Sequence, residues 1–152
     1  TMINEAIYKG VILDHARHPR NRGTIENPDF EAAAYNPLCG DELLLQLRLK
    51  KDLIEDCRTT VRGCSVCQAS ASMMSEEVRG KSMGHASALS KVFQNGLLDQ
   101  DSEDNGELEN LLPLMNLKSH KSRLKCIALA WYAFDECAEK YHQPKTEPPT
   151  SS

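Results

Sequence analysis

The feature that most constrains the fold is an alternating run of leucines between Glu42 and Lys50. Leucines take every second position, at 43, 45, 47 and 49. The alternate positions 46, 48 and 50 are polar, and position 44 is a fifth leucine. Successive side chains of a β-strand point to opposite faces, so this run predicts a strand with one apolar face. A tight connection at Lys51-Asp52 leads to a second predicted strand over 53–62. Its predicted inward residues are Leu53, Cys57, Thr59 and Val61.

Helical patterns surround these strands and a shorter one predicted over 30–35. Apolar residues recur at helical spacing over 2–16, 82–98 and from 122 onward, and a further predicted helix after Gly63 is rich in small residues, which fill 69–72. Leucines over 108–117 allow a short helix that Pro113 makes irregular. An antiparallel sheet with one buried side needs helices over that side. We therefore predict an α+β fold, in which a small three-stranded antiparallel sheet has one face covered by about five helices.

The inward set over 2–16 is predicted to include Ile3, Ile7 and Val11, with Tyr8 and Ile12 as further candidates. One domain is expected over residues 1–140. The remaining segment, 141–152, is expected to be a disordered tail because it lacks apolar residues from His142 onward.

Composition and charge argue against several classes of function. Hydrophobic residues at 40% and charged residues at 26% are ordinary for a globular protein, and a net charge of −4 argues against a general nucleic-acid binder. No apolar run approaches the roughly 20 residues of a membrane span, and no secretory signal is visible. We expect a cytoplasmic protein without nucleic-acid or membrane partners. Its six cysteines are then expected to be reduced thiols or metal ligands.

The turn before the leucine run carries the first candidate functional residues. In Asn36-Pro37-Leu38-Cys39-Gly40-Asp41, proline and glycine favour a tight turn. Cys39 and Asp41 can then point the same way, and a sulfur with an oxygen suits a borderline-soft cation such as zinc. The alternative is an ordinary turn in which Cys39 is incidental.

A second thiol is predicted at a junction between a strand and a helix. Ser65 is predicted to cap this helix, which leaves Cys64 beside the positive helix end, where a thiolate is stabilised. Cys64 and Cys67 also form a CxxC sequence, which is found in zinc knuckles and redox pairs. Cys67 is nevertheless expected inside the first helical turn, as a packing residue, and Cys64 as a ligand.

A third thiol, Cys126, is predicted in the first turns of the last helix, after a cap at Ser122. Arg123 and Lys125 flank Cys126 and are expected to lower its pKa. Because element ends cluster at one edge of such a domain, Cys39, Asp41, Cys64 and Cys126 could complete a tetrahedral set. These residue types alone do not identify the metal. His15 and His18 form an HxxH, for which a cationic helix end is the favoured interpretation over a metal ligand.

Three motifs in order resemble the U-type iron–sulfur cluster assembly proteins, the IscU/NifU N-terminal family. The first is 36–41, and the second is Gly63-Cys64-Ser-Val-Cys-Gln-Ala-Ser-Ala-Ser-Met-Met74. The third is Arg123-Leu-Lys-Cys126 with Ala130-Trp131. The segment around Asp14-His15 and 19–21 matches this family as well. The similarity covers about residues 5–140. Scaffolds of the IscU-like branch have a histidine where this chain has Lys125. That difference, and an extra acidic and leucine-rich segment at about 99–118, resemble the SufU-like branch of Gram-positive bacteria.

That resemblance implies a Zn²⁺ site made by Cys39, Asp41, Cys64 and Cys126, with Cys39 receiving sulfur from a SUF-type cysteine desulfurase. The chain would be a sulfur acceptor or sulfurtransferase that supplies downstream iron–sulfur assembly proteins. The alternative is a scaffold that binds iron or a transient [2Fe–2S] cluster on the same cysteines. A purely structural zinc module is a third possibility. Cys67 departs from the serine usual in relatives, and Arg123 either orients Asp41, contacts the partner or is simply solvated.

Overall fold

The predicted strands form one antiparallel sheet in the order β1-β2-β3. The protein is represented by a computed structural model that describes residues 2–99 and 106–143. Its elements are α1 (Met2–Arg17), β1 (Phe30–Asn36), β2 (Asp41–Lys50), β3 (Leu53–Arg62), α2 (Ser65–Val78), α3 (Met83–Leu98), α4 (Leu112–Met115) and α5 (Leu124–His142). Short 3₁₀ turns at Glu109–Leu111 and Lys121–Arg123 precede α4 and α5.

The leucine run behaves as predicted, because Leu45 and Leu47 are fully buried on the inner face of the sheet. The prediction for Leu53 is wrong: this side chain is 48% exposed, whereas Ile54 is fully buried. A register shift between Arg48 and Leu49 leaves Glu55 without a partner in β2. One extra residue in a strand reverses the alternation beyond it, so Ile54 and not Leu53 faces the core.

The helices cover one face of the sheet in two layers: α2 and α5 lie on the strands, and α1 and α3 pack on those two helices. α5 packs on β1 and β2, α2 packs on β3 and on α5, α1 packs on α2 and α4, and α3 packs on α5. Trp131 and Phe134 of α5 are fully buried, and Phe93 of α3 meets Trp131 with ring centroids 4.6 Å apart. The predicted α+β class, with five helices on a three-stranded sheet, is confirmed.

The stripe predicted for α1 is right at Ile12 and wrong at Ile7. Ile7 is 57% exposed, while Ile12 and His15 are buried. Tyr8, which is half-buried, begins the real stripe at the spacing i, i+4, i+7. His15 can belong to that stripe because Ser72 of α2 supplies a hydrogen-bond partner for its ring.

Two further segments refine the sequence-based picture. The predicted helix over 108–117 is divided into a 3₁₀ turn and α4. Pro113 lies in the first turn of α4, where a backbone N–H has no partner within the helix, so its missing N–H costs no hydrogen bond. Of the predicted tail over 141–152, Tyr141 and His142 belong to the end of α5, and residues 144–152 lie outside the described residues. In the described parts of the chain, no helix is both long and apolar enough to cross a membrane.

Candidate metal centre

A four-residue turn joins β1 to β2 and separates an exposed thiol from a buried carboxylate. Asn36 and Asp41 are the paired residues at the base of the turn. The Gly40 N–H donates to the Asn36 carbonyl oxygen at 2.8 Å, and the Leu38 N–H donates to the Asn36 side-chain oxygen at 3.2 Å. Gly40 has a φ of +70°, a left-handed conformation that favours glycine. Cys39 consequently lies exposed on the turn, whereas Asp41 enters the strand facing inward.

The Asp41 carboxylate is fully buried and only half satisfied. Its Oδ1 accepts the Cys64 N–H at 3.0 Å, but its Oδ2 has no hydrogen-bond partner among the described residues. Gly63 makes room for this carboxylate, because a Cβ at position 63 would lie 2.4 Å from Oδ1. A buried carboxylate oxygen without a donor is costly unless it meets a cation. The Oδ2 atom is therefore available to a metal.

Cys64 is itself the N-cap of α2, so the predicted cap at Ser65 is wrong by one residue. The Cys64 backbone is extended, at φ −68° and ψ 166°, and its Sγ accepts the Cys67 N–H at 3.4 Å. Ser65 already has helical geometry and is exposed. The sulfur thus takes the place that a serine or aspartate oxygen usually has at a helix start. Its predicted position at the positive end of α2 is confirmed.

Cys126 lies in the first turn of α5 and is fully buried. The predicted cap at Ser122 is wrong, because Ser122 belongs to the preceding 3₁₀ turn and Arg123 occupies the N-cap without a side-chain bond. Cys126 Sγ lies 3.7 Å from Cys39 Sγ and 4.0 Å from the Asn36 Nδ2.

The pKa of the Cys126 thiol was expected to fall, and it rises instead. Burial raises this pKa above its ordinary value, and the neighbouring Asp41, Cys64 and Cys39 raise it further. Arg123 and Lys125 are both exposed and do not offset the burial. No hydrogen bond or ion pair of the Arg123 side chain is found within residues 2–99 and 106–143, so no contact with Asp41 supports a role for it in orienting that carboxylate.

Three of the four predicted ligands meet at one point. The ligand atoms of Cys39, Asp41 and Cys126 all lie within 4.8 Å of one another. Sulfurs bound to one tetrahedral zinc at about 2.3 Å lie about 3.8 Å apart, which matches the measured separation of 3.7 Å. Cys64 Sγ lies outside this mutually close set, but the Cys64 N–H donates to Asp41 Oδ1, and the Cys64 thiol contributes to the raised pKa of Cys126. The group could hold a metal ion.

The remaining thiols pack in the core, as predicted for Cys57 and Cys67. Cys57, Cys67 and Cys137 are fully buried. Burial raises the pKa of Cys67 and of Cys137 to about 12, and raises that of Cys57 as well. These thiols are therefore protonated at neutral pH.

The HxxH residues take no part in this group. His15 is buried with its Nδ1 2.8 Å from Ser72 Oγ and its Nε2 3.6 Å from a Glu76 oxygen, and His18 is exposed. The structure also adds two residues that the sequence reasoning did not assign to the site. Asn36 holds the turn and reaches Cys126, and Gly63 accommodates Asp41. The only signals for them were an asparagine before a proline and a glycine before a cysteine.

Comparisons with known proteins show the family of this chain. The family described as NifU-like N terminal domain matches residues 7–148. The zinc-dependent sulfurtransferase SufU of Bacillus subtilis is 33% identical over 136 residues, covering 90% of this chain and 92% of that protein. The iron–sulfur cluster assembly scaffold protein IscU of Streptococcus pyogenes is 32% identical over 134 residues, covering 88% and 84%. The crystal structure of the SUF-system protein FiSufU of Fervidobacterium islandicum AW-1 superposes with a TM-score of 0.81 at 28% identity, covering 88% and 98%.

Proposed function

Because this chain belongs to the NifU-like N-terminal domain family, which includes SufU and IscU proteins, we propose that it is a zinc-dependent sulfur acceptor in iron–sulfur cluster biogenesis. It takes persulfide sulfur from a SUF-type cysteine desulfurase onto Cys39 and passes it to downstream iron–sulfur assembly proteins in the cytoplasm. Cys39, Asp41, Cys64 and Cys126 hold the zinc. The observation that carries this proposal is the meeting of one exposed thiol with a buried thiol and a half-satisfied carboxylate.

The donor set fits a zinc ion. Within the part of the chain that the structure describes, the Asp41 Oδ2 lacks a partner, and the Cys39 and Cys126 sulfurs have the separation expected for two ligands of one ion. When bound, zinc would hold its cysteine ligands as thiolates, against the burial that favours the protonated Cys126. Cys64 would join from the N-cap of α2, whose positive end also favours a thiolate.

Among these ligands, Cys39 is the one placed to receive sulfur. Asp41 and Cys126 are fully buried, whereas Cys39 is exposed on a turn held mainly by its own backbone and by Asn36. In the proposed step, the Cys39 thiolate attacks the terminal sulfur of the desulfurase persulfide. The bond between the two desulfurase sulfurs breaks, its cysteine leaves as a thiolate, and Cys39 becomes the persulfide.

The competing function is a scaffold that assembles a [2Fe–2S] cluster on the same cysteines. The resemblance to the Streptococcus pyogenes IscU favours it. A two-iron cluster divides four protein ligands between two metal ions. Three ligand atoms within 4.8 Å of one another instead favour a single ion. Lys125, in the place of the histidine of IscU-like scaffolds, also favours the sulfur acceptor.

The test combines metal content with desulfurase turnover. We expect about one zinc per chain and an increase in the turnover of a SUF-type cysteine desulfurase when the protein is added. The increase should disappear in Cys39→Ala and persist in Cys137→Ala, which removes a buried thiol from the latter half of α5. Iron with acid-labile sulfide, together with no effect on turnover, would support the scaffold instead.

A further inference from the structure

The proposed function leaves one thiol beside the centre unused. Cys67 follows Cys64 by three residues in the first turn of α2, and its N–H donates to Cys64 Sγ at 3.4 Å. Cys67 is fully buried, but the charges of Asp41, Cys64 and Cys39 all act on its thiol, so it adjoins the candidate metal centre. We propose that Cys64 and Cys67 form a reversible disulfide, with Cys67 as the resolving thiol.

The Cys64 sulfur already lies beside the residue with which it would bond. Cys64 has an extended N-cap backbone, so its side chain turns back over the first turn of α2, and its Sγ lies 3.4 Å from the backbone nitrogen of Cys67. Redox-active CxxC motifs use the same spacing at a helix N-terminus. The bond therefore needs side-chain rotation in the first turn of α2 and no movement of a distant element.

The two thiols differ in access, which sets the order of events. Cys64 is partly exposed and can meet a peroxide, whereas the fully buried Cys67 cannot. Hydrogen peroxide oxidises the Cys64 thiol to a sulfenic acid and releases one water. The Cys67 sulfur then attacks the Cys64 sulfur, the S–S bond forms, the S–O bond breaks and a second water leaves. The dithiol loses two electrons to the peroxide, and an external dithiol can return them.

The disulfide removes Cys64 from the ligand set, so oxidation should also release the metal. This consequence rests on the proposed function, whereas the disulfide itself does not. A bound zinc would protect Cys64 by engaging its sulfur. Oxidation in this pair also prevents Cys64 from passing to the irreversible sulfinic acid.

The experiment is a peptide map of the full chain after treatment with hydrogen peroxide. Trypsin releases residues 63–79 as one peptide that contains both cysteines, and Cys39 and Cys126 fall on other peptides. In the chelated protein, denatured and alkylated after oxidation, we expect this peptide to carry no alkyl group and to be two hydrogens lighter than the reduced, unalkylated peptide. Dithiothreitol should restore both alkylation sites. In the zinc-loaded protein, the same change should be slower and should accompany zinc release.

Two variants make the assignment specific. In Cys67→Ser, Cys64 should proceed to a sulfinic acid that dithiothreitol does not reverse, and in Cys57→Ser, which alters another buried thiol, the disulfide should still form. A Cys64 cross-linked to the peptide of Cys126 or Cys39, or oxidised while Cys67 stays alkylatable, overturns the proposal and leaves the proposed sulfur transfer untouched. A disulfide that forms without zinc release would instead contradict the assignment of Cys64 as a ligand.

Discussion

At the scale of single residues, the centre depends on a carboxylate that fits only because its neighbour has no side chain. Asp41 is fully buried, and its Oδ1 approaches the Cys64 N–H across the surface of Gly63. Any β-carbon at position 63 would occupy the space of that oxygen, at 2.4 Å. The requirement for glycine here is steric, because the φ of Gly63 is not in the left-handed region.

Gly63→Ala should therefore displace the Asp41 carboxylate and weaken metal binding. Residues that orient ligands typically change metal affinity by about 10–100-fold, so we expect zinc affinity to fall at least about tenfold in a competition titration. Gly10→Ala is the matched control, since a β-carbon there meets nothing within 4 Å. That substitution, within α1, should leave zinc affinity unchanged and raise the free energy of unfolding by about 0.5–1 kcal/mol. Equal zinc affinity in both variants would exclude Asp41 as a ligand.

Individual residue types gave uneven information about this site. Cys39 and Asp41 were predicted as a pair because a Pro/Gly turn restricts where their side chains can point. The pKa of Cys126 was predicted with the wrong sign, since the sequence shows the charges of Arg123 and Lys125 but not the burial of the sulfur. Burial depends on which elements pack over α5, and a local sequence window does not contain that information.

At the scale of elements, the hydrophobic period predicted the strands and helices, and tertiary contacts decided their details. The leucine run placed β2 correctly because a strand with one buried face has an unmistakable period of two. The bulge at Glu55 was missed because an extra residue leaves no mark in the composition of β3. His15 was left out of the predicted stripe of α1 because a histidine is buried only where it finds a partner, which Ser72 of α2 supplies.

This contact between α1 and α2 should make stability depend on pH. Burial lowers the pKa of His15 from 6.5, the Arg20 charge lowers it further, and Glu76 and Asp14 act in the opposite direction. The folded state thus favours the neutral ring more than the unfolded state does. The contribution of His15 to the free energy of unfolding is fully present above about pH 6.5. It should fall as the pH decreases from 6.5 towards the lower pKa of the folded state, by at most about 1.4 kcal/mol per pH unit.

The measurement is urea denaturation of the chelated protein between about pH 5 and 8. His15→Gln should flatten the profile between the two pKa values, because it removes the group that titrates. The control is His18→Gln, which replaces an exposed histidine three residues after His15. This variant should keep the wild-type profile. A wild-type profile in His15→Gln would show that other groups account for the dependence.

At the scale of the whole molecule, the candidate centre joins three parts of the chain that the core already holds together. Its residues come from the start of β2, the N-cap of α2 and the first turn of α5. Sequence spacing alone could only suggest that these element ends meet, and the resemblance to known assembly proteins selected them. Beneath the centre, α5 packs on β1, β2 and α2 through fully buried side chains such as Trp131 and Phe134.

Because this core is built largely from apolar side chains that are not ligands of the centre, removing zinc should destabilise the protein without unfolding it. Free zinc at a thousandfold excess over its dissociation constant adds about 4 kcal/mol to the free energy of unfolding. For a chain of this size, about 2–4 °C of Tm per kcal/mol gives a decrease of about 8–16 °C on chelation. The far-UV circular dichroism spectrum and a cooperative thermal transition should remain. Cys39→Ala should also stay folded, and Cys137→Ala should keep the full difference in Tm between the zinc-bound and chelated forms.

The alternative is a purely structural zinc module, whose folding free energy is largely its metal-binding free energy. Such a protein would lose its cooperative transition on chelation, and Cys39→Ala would be poorly folded. The fully buried residues Leu45, Leu47 and Trp131 argue for the first outcome, because their burial at about 25 cal/mol per Å² of apolar surface is independent of the centre. A chelated chain that stays folded leaves Cys39 free to exchange between metal and sulfur, as a sulfur acceptor requires.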